Sequence, residues 1–219
     1  VVSLANALET EDTLLKDSLG QVVNIDEHNV VAFNTAWFTD GVLIQISAKQ
    51  VLQKPIQILH IVTQSGILTN TRNLVNLGAL AEASTIETYV SVPLTTGEPL
   101  SYFSTAAKEV TIDEGAHLTA YKLQAEAEQA FHFGGIYVKQ ASNAKFTQHN
   151  FAFGGLLARS DIHSELGQAA ECHLYGLYSG INRQHMDNHT RIVHAQPHAL
   201  SRESYKGILD DRARGVFQG

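Results

Sequence analysis

The sequence is short of several things that common protein classes depend on. It has one cysteine, Cys172, so no intrachain disulfide can form, which suits a reducing compartment. Basic residues are outnumbered: 15 Lys and Arg stand against 22 Asp and Glu, and the net charge is −7. That balance argues against nucleic acid as the main partner. No apolar run approaches the ~18 residues that a membrane-spanning helix needs, and no charged segment followed by an apolar one opens the chain at Val1. Nucleotide-binding glycine signatures, both the P-loop and G-x-G-x-x-G, are missing, and so is a paired H-x-H. Together these absences describe a soluble, cytosolic chain without a membrane segment.

What is present is a repeat. Hydrophobic residues make up 44% and charged residues 17% of 219 positions, enough apolar surface for a packed core. Between Gly134 and Gly180 two similar units follow each other, each a short apolar run, a small-residue turn and an alternating run. Units of roughly 20 to 25 residues cannot bury their apolar faces alone, and stacking solves that. Short β-branched strands with glycine turns make the stack a β-solenoid. The same turn is expected at Ala83, Ala116, Ala144 and Ala170. After three of them the next same-side positions are apolar, whereas Ala83 is followed by Thr85 and Glu87.

Ahead of the repeat the period is helical. Leu4, Leu8, Leu15 and Leu19 predict a helix over residues 1–20 with Gly20 as its C-cap, and residues 26–38 predict a second. After Asp40-Gly41 the period changes to two. The chain therefore divides into an N-terminal helical segment, 1–41, packed on one end of a parallel β-helix core, 42–219. Strands are expected at 42–46, 56–63, 73–77, 82–92, 108–112 and 117–124, with a loop over 93–99. The run at 56–63 is apolar almost throughout, which predicts cover on both faces. The C-terminal unit, 201–219, ends without a capping element, so the chain reads as cut off there, with this segment either disordered or paired with a second chain.

Eleven histidines are the most conspicuous chemical feature. His185 and His189 have the spacing of a zincin helix, but Met186 stands where the general base belongs. On a strand such positions lie about 13 Å apart. His185, His189, His194 and His198 read first as polar loop residues, with His189 and His194 as candidates for a metal contact. Cys172 falls at the inward position equivalent to Leu118 and Phe146, a small buried hydrophobe, and His173 faces the other way. A single thiolate cannot hold an iron–sulfur cluster. Ser142 to Lys145 matches S-x-x-K without its companion motifs, and Asn188-His189-Thr190 matches a sequon without a secretory context. Arg202, Lys206, Arg212 and Arg214 read as a solvated basic face.

The ordered set of segments FNTAWFTDGVLIQI, KPIQILHIV, EASTIETYVSV, DEGAHLTAYKLQ and HNFAFGGLLARSDIHSELGQAAECHLYGLYSG, followed by DNHTRIVH and SRESYKGILDDRARGVFQG, resembles the SufD-like members of the SufB/SufD family of iron–sulfur cluster assembly scaffolds. The resemblance runs from about Leu4 to Gly219. It implies a right-handed parallel β-helix and a non-catalytic scaffold subunit. The implied partners are a SufB-like paralogue and a SufC-like ATPase. The latter docks in a region beyond the present segment. It implies iron or an iron–sulfur cluster as a transient passenger of the whole complex, with no cofactor firmly held by this chain. A homodimer is a further possibility. The implied compartment is the cytoplasm, or the plastid in a plant. The matching motif positions are Asp187, His189, Thr190, His194, Tyr205, Lys206, Gly207, Arg214, Gly215 and Phe217, for which a structural role is expected. Two other classes compete: a purely structural β-helix assembly protein and a glycan-active β-helix enzyme. The latter would need a carboxylate cluster, for which Asp161, Glu165 and Glu171 are the nearest set.

Overall fold

The computed structural model describes residues 1–10, 15, 18–93 and 99–219. From Val42 onward the chain winds into a parallel β-solenoid of about six turns. Two sheets face each other. One carries β2 (Val42–Ile46), β4 (Leu68–Leu77), β6 (Phe103–Ile112), β8 (Phe131–Gln140), β10 (Leu157–Leu166), β12 (His185–His194) and β14 (Arg214–Gln218). The other carries β3 (Ile56–Val62), β5 (Glu82–Ser91), β7 (His117–Ala125), β9 (Lys145–Ala152), β11 (Glu171–Gly180) and β13 (Leu200–Leu209). Phe103 pairs with Phe131, Phe131 with Leu157, Leu157 with His185 and His185 with Arg214, so a turn takes 26 to 29 residues. The unit expected from the sequence, roughly 20 to 25 residues, is shorter than the turn observed.

The tight turns explain why the stack is regular. Leu80, Gly115, Asn143, Ala169 and His198 all have positive φ. Four of these are not glycine, and the left-handed conformation costs such residues roughly 1–2 kcal/mol. The turns offset this by bonding from rung to rung: Leu80 N–H donates to Glu114 O, Gly115 to Ser142 O, Asn143 to Gln168 O and Ala169 to Pro197 O. Directly after the first four turns an alanine points inward, at Ala81, Ala116, Ala144 and Ala170, all essentially inaccessible. The first of these is Ala81, not Ala83. Ala83 pairs with Leu118, one inward position further on.

The interior beside these turns is apolar. Val75, Leu77, Val110, Ile112, Leu118, Phe146, Ile162, Leu166, Cys172 and Leu174 form one cluster there. Gln140 is the polar intruder, and its amide is satisfied by Ala144 O, Glu171 O and Ser164 Oγ.

The N-terminal segment lies along the outer face of the first sheet, with its helices over a flank as well as the end. β1 (Val2–Ser3) pairs antiparallel with β2, and α1 (Leu4–Glu9) is capped by Ser3, whose side chain accepts from Asn6 N–H. α2 (Asn29–Trp37) bonds through Asn34 Nδ2 to Thr71 O and Thr105 Oγ1. Beneath it Arg72 and Glu109 form a fully buried ion pair at 2.6 Å, and Glu109 also accepts the N–H groups of Gly20, Val22 and Val23. The stretches 11–14 and 16–17 of the first predicted helix, and 94–98 of the predicted loop, fall outside the described residues.

Two further expectations are corrected. β3 is an edge strand without cover on its outer face: Leu59 and Ile61 are each 50% exposed. Of the two alternatives expected for residues 201–219, disorder is excluded, since they form β13 and β14, paired with β11 and β12.

Candidate functional site

Away from the tight turns, the same interior changes character. Here the inward positions come from the first halves of the even strands and the second halves of the odd ones. They include Thr71, Ser104, His132 and Ser160 on one side and Glu87, Tyr89, Lys122, Gln124 and Asn150 on the other. Strand alternation puts these side chains between the sheets, and burial forces each to find a partner.

Two carboxylates organise this half. Glu87 forms an ion pair with Lys108, accepts from Tyr89 OH at 2.7 Å and from Asn73 Nδ2 at 2.5 Å, and faces His60 Nε2 at 3.3 Å. Those cations and donors, Lys108 foremost, hold its carboxyl well below the usual range despite burial. Glu126, from the loop after β7, accepts from Tyr102 OH at 3.0 Å and Gln124 Nε2 at 3.1 Å, and His132 Nδ1 lies 2.7 Å away. His132 in turn keeps the Glu126 carboxyl low. Rings lock the pieces together. His60 stacks on Tyr89 at 4.4 Å, and Tyr89 meets His132 edge-on at 4.8 Å. Burial and Glu87 keep the Tyr89 hydroxyl protonated far above its ordinary range. Lys122 lies with Nζ 5.6 Å from the Tyr89 ring centre, and burial pulls its ammonium down to about 8. This arrangement can hold protons and charge inside the solenoid. Among the described residues no three His, Cys, Asp or Glu side chains gather as metal ligands.

In the sequence Glu87 stands out only as a residue that breaks the apolar side after Ala83, and Lys108, Lys122, Glu126 and His132 do not stand out. One signal was available: Glu87 has the same parity as Ala83 and Thr85, which places a carboxylate on the buried face.

The histidine candidates lie elsewhere. His185, His189 and His194 belong to β12, not to a loop, while His198 occupies the positive-φ turn. His189 is on the outer face, with Nε2 2.9 Å from Asp187 Oδ1, and Arg159 spans Asp187 and Asp161. His194 falls five residues further along, in register with Leu166, and its Nε2 is 3.0 Å from Ser201 Oγ. Five residues along a strand means opposite faces, so the two do not form one site. Asp161 and Glu165 lie on β10 and Glu171 on β11 in the other sheet, paired with Lys145, so these acids do not converge either.

Cys172 sits in register with Phe146, fully buried, and burial pushes its thiol up to about 12. The remaining motif residues divide between packed and exposed positions. The Tyr205 ring occupies the space a side chain at Gly176 would take, and the Tyr178 ring does the same over Gly207 and Gly215. Tyr205 also packs on Phe217 with ring centres 4.8 Å apart. Lys206 and Arg214 are exposed, and Thr190 is buried in the interior column.

Fold and site together define a parallel β-solenoid whose interior is half apolar and half charged, with no group of three metal-ligating side chains among the described residues. Residues 60–219 match the family model for the SufBD core domain of the SUF system for FeS cluster assembly, and residues 1–58 match the SufBD protein N-terminal region. The chain belongs to the SufBD family. It is similar to an iron–sulfur cluster assembly SufBD family protein of Synechocystis, 26% identical over 85% of this chain and 42% of that one. It is also similar to the iron–sulfur cluster assembly protein SufD of Escherichia coli, 29% identical over 76% of this chain and 39% of that one. A chloroplastic protein of Arabidopsis thaliana, ABCI7, is 27% identical over 54% of this chain. The chain thus spans less than half the length of these relatives.

Proposed function

We propose that this chain is the β-solenoid part of a SufD-like scaffold subunit that supports iron acquisition and iron–sulfur cluster assembly without catalysing a reaction itself. The observation that carries this reading is the match of the SufBD core model to residues 60–219, the stretch that winds from β3 to β14. The partners are a SufB-like paralogue and a SufC-like ATPase, and iron or a cluster is cargo of the complex, held transiently. Organisms of the similar proteins favour the cytoplasm or, in a plant, the plastid. The position of Cys172 supports a scaffold that leaves cluster ligation to other parts of the complex. A thiol under Phe146 with its ionisation pushed to about 12 is a poor ligand, since the thiolate is the form that binds metal. The test is affinity purification of the full-length protein from its host, followed by anaerobic iron and sulfide titration with and without the captured partners. Co-purification of an ATPase and a second solenoid, with cluster absorption only in the complex, is expected. Failure to capture either partner, or a stoichiometric cluster on this chain alone that is lost in Cys172→Ala, would overturn the reading.

A further inference from the structure

We propose that the outer face of the second sheet is a docking surface for an amphipathic helix of a partner protein, laid across the strands with carboxylates in its last turn. The two sheets differ in their cover. The described helices pack on β2, β4 and β6, all in the first sheet. The second sheet is open to solvent: Leu59 and Ile61 are each 50% exposed, and Tyr121 and Tyr175 each 37%.

Parallel register gathers the outward side chains of this sheet into columns. Ile86, Tyr121, His149 and Tyr175 form one, which ends at Ser204. Its rings stack, Tyr121 on His149 at 4.7 Å and His149 on Tyr175 at 5.2 Å. Burial lowers His149 below its ordinary 6.5, so the ladder is neutral at physiological pH. Leu59, Thr88, Leu123, Phe151 and Leu177 form the next column, which ends at Lys206. Ile61, Val90 and Ala125 begin a third. No charged side chain lies in these columns before β13. A continuous exposed apolar surface of this kind marks an interaction site.

Its dimensions fit a helix. Positions two residues apart on a strand lie ~6.8 Å apart, and six strands span about 24 Å. One helix, ~10 Å across, covers the two longer columns, and about 16 residues run their length. The first sheet already uses this arrangement, with α2 laid on β4 and β6 and Phe33 stacked on Phe103 at 6.5 Å.

Charge selects the partner and its direction. Arg202 and Lys206 face outward on either side of Ser204, in register with His173 and Leu177, and neither has a carboxylate partner among the described residues. Cations there favour carboxylates and the negative end of a helix dipole, so the C-terminal turn of the helix lies over β13. The same columns of a second copy hold no carboxylate, which makes the partner a different protein.

The full-length protein, titrated with fluorescein-labelled peptides and followed by anisotropy, tests the surface. One peptide of about 16 residues carries leucines along one helical face and glutamates in its last turn, and its twin carries lysines in that turn. The glutamate peptide should bind about tenfold more tightly than the lysine peptide. Arg202→Glu with Lys206→Glu should reverse that preference, and Leu123→Asp should weaken both peptides by about tenfold. Should Leu123→Asp not fold, Leu59→Asp, on the half-exposed edge strand, should weaken both several-fold. No binding of either peptide, as expected if a second copy or another part of the full-length chain fills the face, would overturn the proposal. So would a lysine peptide that binds as well as the glutamate peptide, a preference that survives the Arg202 and Lys206 changes, or affinities unmoved by both aspartate substitutions.

Discussion

The two halves of the solenoid interior are built on the same strands and hold together by different physics. Beside the tight turns, Leu118, Phe146, Cys172 and their neighbours bury apolar surface, an interaction without direction that tolerates exchange of similar volumes. Beside the long loops, Glu87, Lys108, Glu126 and His132 rely on pairing, in which each group is stable only while its partners stay in place. Strand stacking carries both equally, because parallel register repeats the inward positions regardless of their chemistry. The difference teaches that the backbone ladder defines this fold and that the side chains inside it are free to specialise.

Substitutions should separate the halves. Phe146→Ala in the apolar half should cost about 3–5 kcal/mol in urea unfolding, and the cost should be the same at pH 5 and pH 8. Glu87→Leu, which strands Lys108 in the charged half, should cost a similar ~3–5 kcal/mol at neutral pH, but its penalty should shrink in acid.

The sign follows from linkage. The Glu87 and Glu126 carboxyls are depressed below their ordinary 4.5, so their contribution is complete above that value and is lost as pH falls through the folded-state values. His163, on the outer face beside His28 and Tyr137, adds an earlier phase. Burial lowers it from 6.5 to about 4, so stability should already decline as pH falls across that window, and His163→Gln should remove that phase. Lys122 acts at the other end. Its folded value of about 8 against an ordinary 10.5 means that stability should rise with pH between the two, and Lys122→Met should flatten that rise.

Smaller effects refine the picture. Cys172→Ala removes one buried sulfur from the apolar half and should cost about 1–2 kcal/mol. Its thiol should react with a bulky reagent only on unfolding. Ala169→Gly relieves a left-handed alanine in a tight turn and should stabilise the protein by up to ~1 kcal/mol, readable as a higher Tm.

The same contrast explains what could be read from the sequence. The solenoid was legible because the apolar half has inward alanines after each turn and apolar residues two positions on, as at Ala116-Leu118 and Ala144-Phe146. The expected strands at 73–77 and 108–112 cover only the apolar-half ends of β4 and β6. Their earlier residues point Thr69, Thr71, Ser104 and Ala106 inward, so no apolar alternation marks them. The misplaced turn at Ala83 has the same origin. Glu87 on an inward position made a regular rung look irregular. Nor could parity alone reveal the candidate site, since Glu126 and Tyr102 come from loops and meet His132 only through the stacking of rungs.

The central claim is that the charged half is a mutually dependent network. A double-mutant cycle on Glu87→Leu and Lys108→Met, measured by urea unfolding at pH 7, tests it most directly. The account predicts that the double mutant recovers part of the loss of Glu87→Leu, with a coupling of about 1–3 kcal/mol. Effects that add within about 0.5 kcal/mol would contradict it.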